Sequence, residues 1–139
     1  MPAVYLHEHT VLDEEIDEQG HVNNLAYLSW MQDAAVAHST VQGWPPERYQ
    51  AAEAGWVVRT HQIEYLVPAF ANEQVVVRTW VADFKKLTSL RKYRIERPSD
   101  NATLAIAETN WVYIGYERRL PRRIPVELSE AFEVVVDLE

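Results

Sequence analysis

Hydrophobic and polar positions divide the chain into a helical front and a stranded back. Residues 5–11 mix aromatic, β-branched and polar types in a short run that predicts a first strand. Residues 13–20 are too acidic and too interrupted for a core element, and Gly20 marks them as a loop. From 24 to 41 the apolar positions Leu25, Leu28, Met31, Ala35 and Val36 recur at helical spacing with no proline among them. They cover most of the circumference, so the expected helix is largely enclosed. Asn23 or Asn24 suits its N-cap, and Gly43 followed by Pro45-Pro46 stops it. Residues 47–54 predict a short second helix with Pro46 near its first turn.

After Gly55 the texture changes. Segments 57–65, 75–84, 90–96 and 104–116 are rich in Val, Ile, Tyr, Trp and Thr, with turn clusters at 68–73, 85–89 and 98–102 between them. Such short connections predict that successive strands are antiparallel neighbours. Pro121 and Pro125 end the last strand, and 126–132 predict a terminal helical turn. The expected architecture is α+β, a curved antiparallel sheet of about five strands wrapped around one long helix. No repeat or linker divides the 139 residues, so 1–139 reads as a single domain.

Composition narrows the class. Apolar types make up 47% and charged types 24%, the balance of a globular protein. The absence of cysteine excludes disulfide scaffolds, thiol nucleophiles and cysteine-ligated metals. No run approaches 18 apolar residues, and the first residues have neither a basic start nor an apolar stretch. A cytoplasmic protein without membrane partners is therefore expected. The net charge of −8 argues against nucleic acid, whose binding needs a basic balance. That charge is unevenly placed. Residues 1–54 hold nine acids and one base, 55–125 hold twelve bases and seven acids, and 126–139 hold five acids and no base. A compact fold can interleave these charges, or the basic middle can bind an anionic ligand.

The chemistry concentrates in Glu15-Ile16-Asp17-Glu18-Gln19-Gly20-His21-Val22-Asn23-Asn24. A carboxylate, a glycine, an imidazole and two carboxamides here lead into the start of the long helix. The first N–H groups of a helix have no intrahelical acceptor and carry partial positive charge, so they can stabilise an oxyanion. Asp17 is close enough in sequence to attack an acyl carbon beside that point or to deprotonate a water. No serine elbow of the form G-x-S-x-G competes with it. Taken singly, Asp17 reads equally as one solvated acid among Asp13, Glu14, Glu15 and Glu18, His21 as a turn residue, and Asn23 and Asn24 as caps.

The run Asp17-x-x-Gly20-His21-Val22-Asn23-Asn24-x-x-Tyr27, followed by Trp30, resembles the signature of hotdog-fold acyl thioesterases. The similarity is to the 4-hydroxybenzoyl-CoA thioesterase-like group and to the acyl-carrier-protein thioesterases. It extends through Ile63-Glu64-Tyr65-Leu66-Val67-Pro68-Ala69, the strand from Val75 to Trp80, Ala105-x-Ala107-Glu108-Thr109-x-Trp111-Val112 and Arg122-Arg123-Ile124-Pro125. The resemblance implies a hotdog fold and hydrolysis of an acyl-CoA or acyl-carrier-protein thioester to the free acid. It places Asp17 at the catalytic carboxylate, the amide near Asn24 at the thioester oxygen, and His21 at an assisting histidine. Asn23 and Tyr27 fall with the substrate-binding motif. Thr88 and Ser89 fall near a hydroxyl supplied by a partner subunit, and a homodimer or homotetramer is implied. The carrier-protein group has an asparagine two residues after the aspartate where this chain has Gln19, and the aromatic-ring group often lacks His-Val-Asn-Asn. The acyl group is thus left open. Hotdog domains also include acyl-CoA sensors without turnover and hydratases or dehydratases, which stand as the alternatives.

Further candidates are less specific. Glu64 can orient water from its strand or simply face solvent. Lys85, Lys86, Arg91, Lys92 and Arg94 cluster around one turn, and Arg118, Arg119, Arg122 and Arg123 around another. Either cluster suits the phosphates of coenzyme A, or simply marks solvated strand ends. No cofactor is expected apart from coenzyme A as part of the substrate. His7 and His9 share a strand face, and His21 adds a third imidazole, but no supporting pattern makes them a zinc site.

Overall fold

The computed structural model describes residues 3–137. Strand β1 (Val4–Thr10) passes through one 3-10 turn (Asp13–Glu15) and a tight loop into helix α1 (Asn24–Val41). Helix α2 (Pro46–Ala52) leads to β2 (Ala54–Tyr65), β3 (Gln74–Phe84), β4 (Thr88–Arg97) and β5 (Ala102–Gly115), followed by the two-residue β6 (Leu120–Pro121) and α3 (Val126–Glu130). The sheet runs β1-β3-β4-β5-β2 with every pair antiparallel, and β6 joins β5. Among the described residues, no helix is long and apolar enough to cross a membrane.

Alternation builds the inner face. Along β4, Ser89, Arg91, Tyr93 and Ile95 are buried while Leu90, Lys92, Arg94 and Glu96 are less covered. Val75, Val77, Tyr93, Ile95 and Leu104 pack against Tyr27, Trp30, Met31 and Ala34 of α1. A second cluster of Trp44, Tyr113, Ile124, Leu128 and Phe132 fills the other end. One helix backed by a curled sheet is the expected arrangement.

Two expectations are corrected. The helix is enclosed on one side only. Ala26, Tyr27, Trp30, Met31, Ala34, Ala35 and His38 form its buried stripe, while Leu25 and Val36 are 74% and 52% exposed. A single sheet of this width can cover one helix face, not the circumference. Nor are all successive strands neighbours, because β2 pairs with β5 at one edge while β3 lies beside β1 near the other. The eight residues between β2 and β3 include Pro68 and form no tight turn. They cross the end of the sheet, from Leu66 donating to the Leu104 carbonyl to Glu73 accepting from the Val11 amide. Eight extended residues reach about 26 Å, enough for three strand spacings of about 4.8 Å.

Candidate active site

The loop before α1 is a short closed turn. Ile16 and Val22 form an antiparallel bridge, and between them the Asp17 amide donates to the His21 carbonyl at 2.9 Å. The Gly20 amide donates to the Asp17 carbonyl, with Gly20 at φ 86°, a conformation that suits glycine. Asp17 Oδ1 accepts from the Gln19 amide at 2.8 Å, which leaves Oδ2 3.6 Å from His21 Nδ1. His21 Nε2 donates to Gln19 Oε1 at 3.0 Å. Asp17 and His21 are thus held together at the foot of the turn, each side chain about one-third exposed. One residue beyond Val22, Asn23 caps α1 by accepting from the Ala26 amide at 2.9 Å. Asn24 is the first helical residue, so its amide belongs to the first turn that lacks intrahelical acceptors.

Glu15 organises this loop, and sequence reasoning missed it. Its Oε1 accepts from His9 Nε2 and the Leu12 amide, and its Oε2 accepts from Trp30 Nε1. Its carbonyl accepts from the Asn23 amide and from Asn23 Nδ2. Burial by itself would raise the Glu15 pKa, but the hydrogen bonds from His9, Leu12 and Trp30 outweigh it and hold the carboxyl below the usual glutamate value. Nothing distinguished Glu15 from its acidic neighbours, because its side-chain partners come from β1 and from the second turn of α1. The loop is also tied to the crossover, where the Val22 amide donates to the Ala69 carbonyl. Arg97 clamps that crossover to Glu73, Asp100 and the Pro68 carbonyl.

Several sequence-predicted site residues occupy other environments. Asn23 uses its side-chain oxygen to cap α1 and its Nδ2 to bond the Glu15 carbonyl, so both ends of its carboxamide tie the loop to the helix. Tyr27 is core, 3% exposed, with its ring against Trp30 and Tyr65. Burial pushes its phenol pKa up, with the Ala69 backbone hydrogen bond acting against that. Helical geometry turns Tyr27 onto the buried stripe, which motif spacing alone did not reveal. Glu64 is exposed on β2, and Tyr65 reaches back to donate to the Asn24 carbonyl at 3.2 Å. Ser89 is buried and donates to the Asp83 carbonyl, whereas Thr88 is half-buried at the start of β4. His9 is engaged by Glu15, and His21 by Gln19, so neither joins His7; among the described residues no group of side chains is arranged to hold a metal.

The basic clusters are rearranged. Arg91 leaves the surface group altogether, because alternation along β4 turns it inward, 6% exposed. Lys92 instead pairs with Asp137. Lys86 and Arg122, from separate clusters in the sequence, come to one end of the sheet, where the Ile124 amide donates to the Lys86 carbonyl and the Arg122 amide to the Tyr113 carbonyl.

A cavity of about 520 Å³ opens between the second half of α1, α2 and the inner sheet. Trp44, Tyr49, Trp56, Trp111 and Phe132 supply aromatic walls, Ser89 and Arg91 polar ones, and Val57 and Val58 lie toward the β2 edge. Apart from Trp111, none of these aromatic walls was named from sequence, since residues from five separate segments meet there.

The model of the thioesterase-like superfamily matches residues 11–132. No curated protein sequence matches the chain. Among solved structures, a 1,4-dihydroxy-2-naphthoyl-CoA thioesterase from Synechocystis is 17% identical, with a TM-score of 0.85 over 92% of this chain and 94% of its own. A hypothetical protein from Thermus thermophilus is 26% identical, with a TM-score of 0.85 over 92% of this chain and 96% of its own. A Staphylococcus aureus protein in complex with CoA is 16% identical, with a TM-score of 0.86 over 92% of this chain and 80% of its own. With the helix, the strand order and the 11–132 match in agreement, the chain belongs to the thioesterase-like superfamily and has its hotdog fold.

Proposed function

We propose that the protein hydrolyses an acyl-CoA thioester to the free acid and coenzyme A. The observation that carries this reading is the Asp17–His21 pair, held at the foot of a turn that feeds the N-terminus of α1. Asp17 attacks the thioester carbonyl or takes a proton from the attacking water, and His21 positions its carboxylate. The first-turn amides at Asn24 stabilise the oxygen that becomes negative. Collapse of the tetrahedral species breaks the C–S bond and expels the thiolate, which takes a proton from the carboxyl formed at Asp17 or from solvent. Where Asp17 itself attacks, water then hydrolyses the resulting anhydride and frees the acid. The reaction needs no metal or redox cofactor, and coenzyme A enters only with the substrate. Lys86 and Arg122 at the sheet end are assigned to its phosphates.

The site is completed by a second copy. β2 is an edge strand whose Val57 and Val58 are 39% and 38% exposed, an open row of backbone groups suited to pairing. Antiparallel pairing about the middle of β2 sets the cavity-lining start of one strand against the end of the other, where Tyr65 meets Asn24. In such a homodimer the cavity of one protomer faces the motif loop of its partner, and the exposed Leu25 and Val36 of α1 lie near the same edge.

Release of free thiol from aromatic, short-chain and long-chain acyl-CoAs, and from a carrier-protein thioester, tests the reading. Turnover of at least one class is expected, with a loss of about 10² or more in Asp17→Asn. Binding of acyl-CoA with no turnover on any thioester would establish the sensing alternative instead.

A further inference from the structure

The inner wall of the cavity contains a cation that the proposed hydrolysis does not use. Arg91 is 6% exposed on the inner face of β4, between Ser89 and Tyr93, and lines the aromatic-walled space. Its Nη1 donates to His38 Nδ1 and to Thr79 Oγ1, each at 3.0 Å. A guanidinium has only donors, so the imidazole accepts at Nδ1, and neither partner brings negative charge. The ring of Phe132 lies 5.9 Å from the guanidinium carbon. Among the described residues, the ionisable groups acting on Arg91 are the phenols of Tyr93 and Tyr49, with no carboxylate among them. The arginines that do form ion pairs differ in this respect. Arg78 is bonded to Glu96, and Arg97 to Glu73 and Asp100, all at more accessible positions.

A buried charge ordinarily has an opposite charge beside it, because nothing else replaces the water it has lost. Among the described residues that place beside Arg91 is taken by cavity. About 520 Å³ lies within the range of small-molecule sites, and indole, phenol and phenyl walls favour an apolar or aromatic body. We infer that the cavity takes an acyl group with an apolar body and a carboxylate at its far end, and that Arg91 is the specificity-determining residue that binds this carboxylate. His38 and Thr79 hold the guanidinium in place, and planar bidentate geometry suits the pairing. This inference rests on the cavity being the acyl site of the hydrolase proposed above.

Matched thioesters provide the test: benzoyl-CoA against 4-carboxybenzoyl-CoA, and hexanoyl-CoA against 5-carboxypentanoyl-CoA, with wild type, Arg91→Met and Arg91→Lys. The expected result is a kcat/KM at least about tenfold higher for the carboxylated member of one pair. Arg91→Met should abolish that preference and Arg91→Lys retain part of it. Equal rates within both pairs for wild type, or a preference that survives in Arg91→Met, overturns the inference. Should Arg91→Met fail to fold, the wild-type ratio and Arg91→Lys decide between these outcomes. Calorimetric binding of free 4-carboxybenzamide against benzamide, which has no carboxylate, separates the two levels of the proposal. If no thioester is hydrolysed, the hydrolase reading fails, while 4-carboxybenzamide bound tightly by wild type and more weakly by Arg91→Lys still upholds Arg91 as the carboxylate site. Equal binding of the two amides removes it.

Discussion

Glu15 and Asp17 are two residues apart and differ in everything that matters physically. Glu15 is largely covered and accepts from His9, the Leu12 amide and Trp30, whereas Asp17 stays partly open beside His21. Because the folded-state pKa of Glu15 is lowered, its contribution to stability is fully present above the unfolded value of about 4.3 and is lost as pH falls through the lower folded value. Glu15→Gln should therefore reduce stability at pH 7 and flatten the acid limb of the stability profile below pH ~4.3, as read by urea denaturation across pH. Asn23→Ala removes the cap and the tie to the Glu15 carbonyl and should cost about 1–2 kcal/mol by the same measurement. Residue types at Asp17, His21 and Asn23 were readable from the chain, since their partners are local. Glu15 and Arg91 were not, because their environments are assembled from distant strands and from α1.

At the scale of elements, the motif loop works as a rigid unit on the front of α1. The Ile16–Val22 bridge, the Gly20 turn and the Val22–Ala69 bond leave it little freedom. No atom lies within 4 Å of the place a Gly20 side chain would occupy, but φ of 86° is unfavourable for any L-residue. Gly20→Ala should thus cost only about 1–2 kcal/mol through the backbone. By re-aiming Asp17 against His21 it should lower kcat/KM far more than that loss of stability explains. Parallel thermal melts and thiol-release assays separate the two effects. Helix and strand existence followed from periodicity and turn residues. The crossover between β2 and β3 did not, since local turn chemistry cannot tell a hairpin from a connection that spans the sheet end.

For the whole molecule, the edge at β2 and the bare face of α1 make the proposed assembly the variable to test. A wild-type dimer by sedimentation is expected, and Val58→Asp should shift it to monomer and remove thiol-release activity while the far-ultraviolet circular dichroism is retained. The proposed recognition of coenzyme A belongs to this scale too. Replacing Lys86 and Arg122 together by Glu should raise KM for acyl-CoA by about tenfold. The same change should leave hydrolysis of the matching N-acetylcysteamine thioester, which has no phosphates, near wild type.

By itself the chain determined an acidic, cysteine-free α+β domain, its order of elements, its motif loop and its family resemblance. Each depends on composition, short-range periodicity or residues close in sequence, where covalent connection already sets the geometry. Tertiary structure decided that Tyr27 is packed in the core and Asn23 caps α1, that β2 is an edge strand, that the segments of Lys86 and Arg122 come to one end of the sheet, and that Arg91 is a buried cation in an aromatic cavity. These depend on which strands pair and which way each side chain alternates, so they arise only when residues far apart in sequence are brought into contact.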